Sequence, residues 1–320
     1  EDLSGERPTA WSASLDQSAS GRSSTEVDEL VAATHPRLIF VSAGNVPRNG
    51  VLDNQEDTSE YPIEDPAQAW NVLTIGGYTE KTEIQEPDYA HCSVIADAGE
   101  RSPHSRTSID WLHRDSAIKP ELVFEAGNHA LDPRNSDVTS DLASLSLLST
   151  GADVLVEPLC SVAATSAAAP QGARLAAMLM ARYPALWPET VRALLVHGAE
   201  WTPAMRKQLD GVLKTKRYPL LRSFGYGVPR LERVLDSTAN DLALIVEATL
   251  QPNRGRGSNV TYNEVHYHAL PWPKGELEKL GNTQVTMKVT LSYFIEPNPG
   301  SEGGVSAAVY RSAGLRFVLK

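Results

Sequence analysis

The stretch SVAATSAAAPQGARLAAMLMARYP, residues 161–184, places Ser166 at the mouth of an alanine-rich helix and Pro170 four residues later. A helix opening at Ser166 leaves that residue's backbone N–H without an intrahelical acceptor, and the helix dipole favours negative charge there. A nucleophilic hydroxyl so placed attacks a carbonyl while its own N–H holds the developing oxyanion. Ala163, Ala164, Ala167 and Ala168 leave room for a substrate backbone and for close packing on a sheet. Pro170 falls near the first turn, where a missing N–H costs little. Taken alone, these residues favour an ordinary alanine-rich helix with a Ser or Thr cap, so a functional meaning depends on the rest of the chain.

Three continuous apolar runs predict strands buried on both faces: RLIFVSAGN (37–45), NVLTIGGY (71–78) and the more polar KPELVFEAG (119–127). Residues 1–25 are rich in Ser, Asp and Gly and read as loop. STEVDELVAA (24–33) carries Val27, Leu30 and Val31 at helical spacing behind a Ser/Thr cap. Residues 46–69 and 128–160 read as long surface excursions at one end of the sheet. Helices are expected over 166–182, from Pro188 onward, and after a glycine turn within 222–235. Strands separated by helical crossovers predict an α/β domain with a mostly parallel sheet.

Beyond Leu235 the period becomes two. Val285, Met287, Val289 and Leu291 alternate with polar residues, as do Val265, Tyr267 and Ala269. This predicts a small all-β, sandwich-like module, with the domains at 1–238 and 239–320.

At 320 residues, one substantial core and a second smaller domain are expected. No apolar run is long enough to span a bilayer, so a membrane protein is not expected. The net charge of −11, with no clustered Lys/Arg face, argues against nucleic-acid binding. Cys92 and Cys160 are too few and too far apart for a disulfide framework or a zinc site, and read as buried thiols. No metal or cofactor is expected. The absence of a disulfide framework tilts the compartment toward the cytoplasm, with secretion or the periplasm as the alternative.

Asn45 gives the Ser166 stretch its functional meaning. It ends a buried strand, where open parallel sheets place their ligand crevice, and its amide is a candidate second oxyanion donor. The blocks VSAGN, YP…AWNVLTIGGYT, SPHSRTSID…IKPELVFEAGN, ATSAAAPQGARLAAMLMARYP and GYGVPRLERVL, ordered over roughly residues 24–235, resemble the subtilisin-like serine proteases. The resemblance implies that Ser166 is the nucleophile and Asn45 the oxyanion-hole asparagine. Ser42, Ala43 and Gly44 would line one wall of the pocket for the side chain preceding the cut bond. The implied substrate is a peptide or protein.

Two departures from the family matter. Ala164 stands where the family has Gly before Thr-Ser, a mild change only if the backbone there keeps a negative φ. The family's acid and base precede the nucleophile in Asp-Thr-Gly or Asp-Ser-Gly and His-Gly-Thr blocks, and neither block occurs before Asn45. His35, the one upstream histidine, reads as structural.

The chain is therefore expected to be the C-terminal part of a longer endopeptidase, beginning at a cut, nearly inactive alone and self-associating through an exposed sheet edge. The contrasting expectation is a catalytically inactive scaffold that binds a partner protein. Other histidines receive plainer roles: His197 caps a helix C-terminus, His266 and His268 share a solvated strand face, and His104 and His113 sit in a polar loop. An α/β-hydrolase elbow needs Gly-x-Ser-x-Gly, which Ala164-Thr165-Ser166-Ala167-Ala168 lacks, and GYGVPR lacks the third glycine of a dinucleotide fingerprint.

Overall fold

The computed structural model describes residues 6, 8–21, 35–56, 60–111, 116–139, 142–208, 218–236, 244–255, 261–270, 272–298 and 310–319. The chain opens with α1 (Ala10–Ala19), where a loop was expected. Thr9 caps it by accepting the Trp11 N–H, and its inward face consists of Ser12, Ala13, Asp16 and Ala19. That face carries almost no hydrophobic signal, which is why composition misled. The helix expected over 24–33 lies outside the described residues.

The central sheet follows the expected runs. β1 (Phe40–Ser42) and β2 (Leu73–Thr79) pair in parallel, Phe40 opposite Leu73. Beyond β3 (Ser93–Val94), β4 (Glu100–Arg101) adds an antiparallel pair at the end of β2. β5 (Leu122–Glu125) then pairs in parallel on the other side of β2, Ile75 opposite Leu122. The fold is α/β with a mainly parallel sheet.

The loops on either side of β2 hold more than surface. Val46, Val51, Ile63 and Ala67 from the first are buried, and α2 (Val51–Glu56) forms within it. The second folds into β6 (Ala130–Asp132), β7 (Asp137–Thr139), β8 (Leu147–Thr150) and β9 (Leu159–Val162), with Ala130, Val138 and Leu145 buried. Val46 and Val51 of the first loop pack with Val138 of the second, whose Ala130, Leu142 and Leu145 form a further cluster, and short clusters bounded by polar residues leave no clear period.

α3 (Thr165–Arg182) crosses the sheet. Ala168, Gly172, Leu175, Ala176 and Leu179 form one helical stripe against Leu73, Ile75, Leu122 and Phe124. A Cβ on Gly172 would stand 3.1 Å from the Phe40 ring, so this glycine sets how closely helix and β1 approach. Pro170 is the sixth residue of α3, deeper than expected, and cannot donate to the Ser166 carbonyl one turn back.

α4 (Pro188–His197) starts at its proline as expected. Its C-terminus is not capped by His197: Lys288 donates to the carbonyls of His197 and Ala199, while His197 Nδ1 pairs with Thr290 Oγ1 at 3.0 Å. Burial first, then the nearby Lys288 charge, lowers the His197 pKa, so the ammonium supplies the positive charge. After α4 come β10 (Ala199–Glu200), α5 (Pro203–Lys207), α6 (Tyr218–Phe224), a turn through Gly225, β11 (Val228–Pro229) and α7 (Leu231–Asp236).

The expected β-sandwich does not form among the described residues beyond 243. They contain the hairpin of β12 (Asn253–Arg254) and β13 (Thr261–Tyr262), followed by α8 (Lys274–Leu280). The half-buried strand expected around residue 288 does not form: Lys288 and Thr290 hydrogen-bond at the α4 terminus, but Lys288 is exposed, as are Val285 at 55% and Leu291 at 44%. Val265 and Tyr267 are exposed as well.

Residues near both ends of the chain meet on Asn71. Its N–H donates to Asp16 Oδ1 at 2.6 Å, its amide donates to the Asp16 and Ile295 carbonyls, and its Oδ1 accepts the Ile295 N–H at 2.8 Å. Tyr310 also donates to Asp16, at 2.7 Å, and packs with Ala13 and Ile295. Cys92 and Cys160 are free and partly exposed; neither is the fully buried thiol expected. No helix among the described residues is long and apolar enough to cross a membrane.

Candidate active site

The end of β1 delivers Ser42, Ala43, Gly44 and Asn45 to one end of the sheet. Ala43 continues the ladder, its N–H donating to the Ile75 carbonyl at 2.8 Å, and is buried against Ile63, Ala67 and Trp111. Gly44 has φ +91°, and a Cβ there would stand 3.0 Å from Arg106 Cδ. Arg106 braces this turn: its N–H donates to the Gly44 carbonyl, its Nε to the Asn45 carbonyl at 3.0 Å, and Nη1 pairs with Glu64 at 2.9 Å. The role of Arg106 was not legible beforehand, because nothing in SPHSRTSID marks which side chain folds back onto the VSAGN turn.

β9 leads directly into the second half of the site. Ala164 is anchored to the end of β5 through its N–H, which donates to the Ala126 carbonyl at 2.7 Å. Its backbone sits at φ +73°, ψ 177°, a region populated almost only by glycine. The substitution of Ala for Gly is thus the more serious of the two cases distinguished from sequence.

The first turn of α3 then distributes its orphan donors in a telling way. Thr165 donates both its N–H, at 3.0 Å, and its hydroxyl, at 2.7 Å, to Asn45 Oδ1. The N–H groups of Ala167 and Ala168 return to the Ala164 carbonyl. The Ser166 N–H has no acceptor among the described residues, and the Ser166 side chain is exposed. An amide facing two donors must present its oxygen, so Asn45 Nδ2 is the outward atom. It makes no hydrogen bond to any described residue. The structure therefore brings Asn45 and the start of α3 together, with two donors unspent.

Among the described residues no histidine side chain hydrogen-bonds Ser166 or Asn45, although the His104 carbonyl accepts the Val46 N–H at 2.9 Å beside the Asn45 turn. His104 sits in a turn of the polar loop, but its side chain is buried, with its ring centroid 4.0 Å from that of His129. Burial, reinforced by His129, pushes its pKa down to about 3. It is neutral at ordinary pH and has no proton-transfer role to play from inside the core. His35 lies outside helix and strand, and His266 and His268 face each other edge-on with centroids 6.1 Å apart. His113 lies outside the described residues. Ser166 Oγ has no hydrogen bond to a histidine or carboxylate among them.

A helix opens here beside a parallel strand end in an α/β domain, with an exposed serine and amide donors at the junction that have no acceptor among the described residues. The subtilase family's sequence profile matches residues 3–227, and the chain belongs to that family. A curated relative, the uncharacterized protein y4bN of Sinorhizobium fredii, is 28% identical over 298 residues, covering 88% of this chain and 62% of its own length. The chain thus spans less than two thirds of that relative. Similar solved structures include the CspB protease of Clostridium perfringens (20% identity, 57% of this chain and 29% of that one, TM-score 0.35). The epidermin leader peptide processing serine protease of Staphylococcus aureus is another (14% identity, 64% and 41%, TM-score 0.36).

Proposed function

We propose that this chain supplies the nucleophile and oxyanion hole of a subtilisin-type serine endopeptidase whose triad His and Asp lie outside it. The observation that carries this reading is the pair of unspent donors beside Ser166: its own N–H and Asn45 Nδ2, held outward because Oδ1 is engaged by Thr165. Ser166 Oγ attacks the peptide carbonyl and passes its proton to the histidine. The two N–H groups hold the tetrahedral oxyanion, and its collapse transfers the proton to the departing amine. Water then hydrolyses the acyl-enzyme by the same path in reverse. Ser42, Ala43 and Gly44 form the wall along which the residue before the cut bond lies.

By itself the chain hydrolyses peptides negligibly, since a serine without its base is a weak nucleophile. β1 pairs only with β2 among the described residues, and the isolated chain self-associates along that outer edge. Peptide hydrolysis by the complete natural protein, abolished by Ser166→Ala, tests the reading. A folded full-length protein without activity toward any peptide would favour a partner-binding scaffold instead.

A further inference from the structure

Away from Ser166, three metal-ligating side chains meet beside the β3–β6 pair. His91 Nε2 stands 3.2 Å from Asp132 Oδ2 and 3.4 Å from Cys92 Sγ, and the three donor atoms lie within 4.8 Å of one another. The fold builds this meeting from distant sequence. β3 and β6 pair antiparallel, with Val94 opposite Ala130 and Ser93 opposite Leu131. One further step along that register brings Cys92 to Asp132. The Cys92 N–H donates to the Tyr89 carbonyl at 2.9 Å, closing a turn that sets His91 and Cys92 on the same side. The Arg134 N–H donates to Asp132 Oδ1 at 2.9 Å, which leaves Oδ2 toward His91.

These separations have a chemical meaning. Zinc bonds of roughly 2.0–2.3 Å in a tetrahedron hold neighbouring ligand atoms roughly 3.3–3.7 Å apart. The His91–Asp132 and His91–Cys92 distances fit the edges of such a site. The point of convergence already attracts a cation: Arg134 Nη2 lies 2.6 Å from Asp132 Oδ2 and 2.5 Å from His91 Nε2. The Arg134 side chain is 68% exposed, so it can swing into water without disturbing the core.

We propose that His91, Cys92 and Asp132 form a divalent transition-metal site of the zinc class, with the metal taking the place of Arg134 Nη2 and water completing the tetrahedron. Binding releases the Cys92 thiol proton to solvent, and thiolate plus carboxylate balance the 2+ charge beside a neutral imidazole. The metal pins the 89–92 turn to β6. No zinc motif marked this site in the sequence, because its ligands come from two adjacent positions and a third on another strand.

Cobalt(II) titration of the chain tests the site, since a cysteine ligand gives a thiolate-to-cobalt charge-transfer band. One equivalent should produce the band, Cys160→Ser should keep it and Cys92→Ser should remove it. His91→Ala and Asp132→Asn should each weaken binding on the order of 10-fold to 100-fold, and Arg134→Ala should tighten it. In the unmutated chain, zinc(II) should slow alkylation of Cys92 relative to Cys160. The site is overturned by absence of the band in the unmutated chain, by its survival in Cys92→Ser, or by its appearance only in Arg134→Ala, which would make the arginine the permanent occupant.

Discussion

Asn45 Oδ1 accepts two hydrogen bonds from Thr165, at 3.0 Å from the N–H and 2.7 Å from the hydroxyl. This joins the end of β1 to the first residue of α3 and fixes which amide atom of Asn45 turns outward. In the complete protein, Asn45→Ala should lower kcat on the order of 10²–10³-fold with little change in KM, the cost of losing one oxyanion donor. Thr165→Val removes one of the two bonds and should lower kcat less, since the N–H still orients the amide. Steady-state kinetics on both variants checks this; equal kcat for Asn45→Ala and the parent would remove Asn45 from the oxyanion hole.

Ala164→Gly should stabilise the chain. At φ +73° and ψ 177° an L-residue carries about 1–3 kcal/mol of strain, against about 0.5–1 kcal/mol of extra backbone entropy lost by glycine on folding. The expected net gain is about 1 kcal/mol, read as a higher urea midpoint at unchanged m-value. A lower midpoint would mean that Ala164 is unstrained.

Acid should destabilise the fold partly through His104. Its folded pKa, about 3, lies below the ordinary value near 6.5, so between these values the unfolded chain binds the extra proton. Stability conferred by the neutral ring is fully present above about pH 6.5 and is lost as pH falls toward 3, at up to about 1.4 kcal/mol per pH unit. His104→Phe should flatten that acid limb relative to the parent. Parallel pH profiles of the two proteins would show the ring to be exposed or partnered.

Leu179 is fully buried where α3 meets the sheet. Leu179→Ala should cost about 2–5 kcal/mol, measured by denaturant unfolding. Val285→Ser, on the exposed outer side of the 285–291 segment, should change stability by less than about 0.5 kcal/mol. A large loss there would place Val285 inside a packed module after all.

β2, β5, α3 and α4 were readable because each buries a long apolar pattern, with two-faced runs for β2 and β5 and a 168-172-175-176-179 stripe for α3, whereas β1, expected to be buried on both faces, is only partly buried. α1 was not, because its inward face is Ser12, Ala13, Asp16 and Ala19, held by hydrogen bonds to Asn71 and Tyr310 that no local pattern announces. In the site, Ser166 and Asn45 stood out through helix mouth and strand end. Thr165 and Arg106 did not, since their roles arise from contacts across 120 and 61 residues of sequence. The segment around Lys288 was read as a half-buried strand, but it forms no strand and exposes Val285, Met287, Val289 and Leu291 as well as Lys288.

The most direct test of the account is fluorophosphonate labelling of the complete natural protein, with the adduct mapped by peptide mass and Ser166→Ala as control. The account predicts one adduct, on Ser166, absent from the variant and weakened in Asn45→Ala. A folded complete protein that takes no label at Ser166 would contradict it, and the Asn45–Thr165 junction would then be a relic of the fold without a reaction to serve.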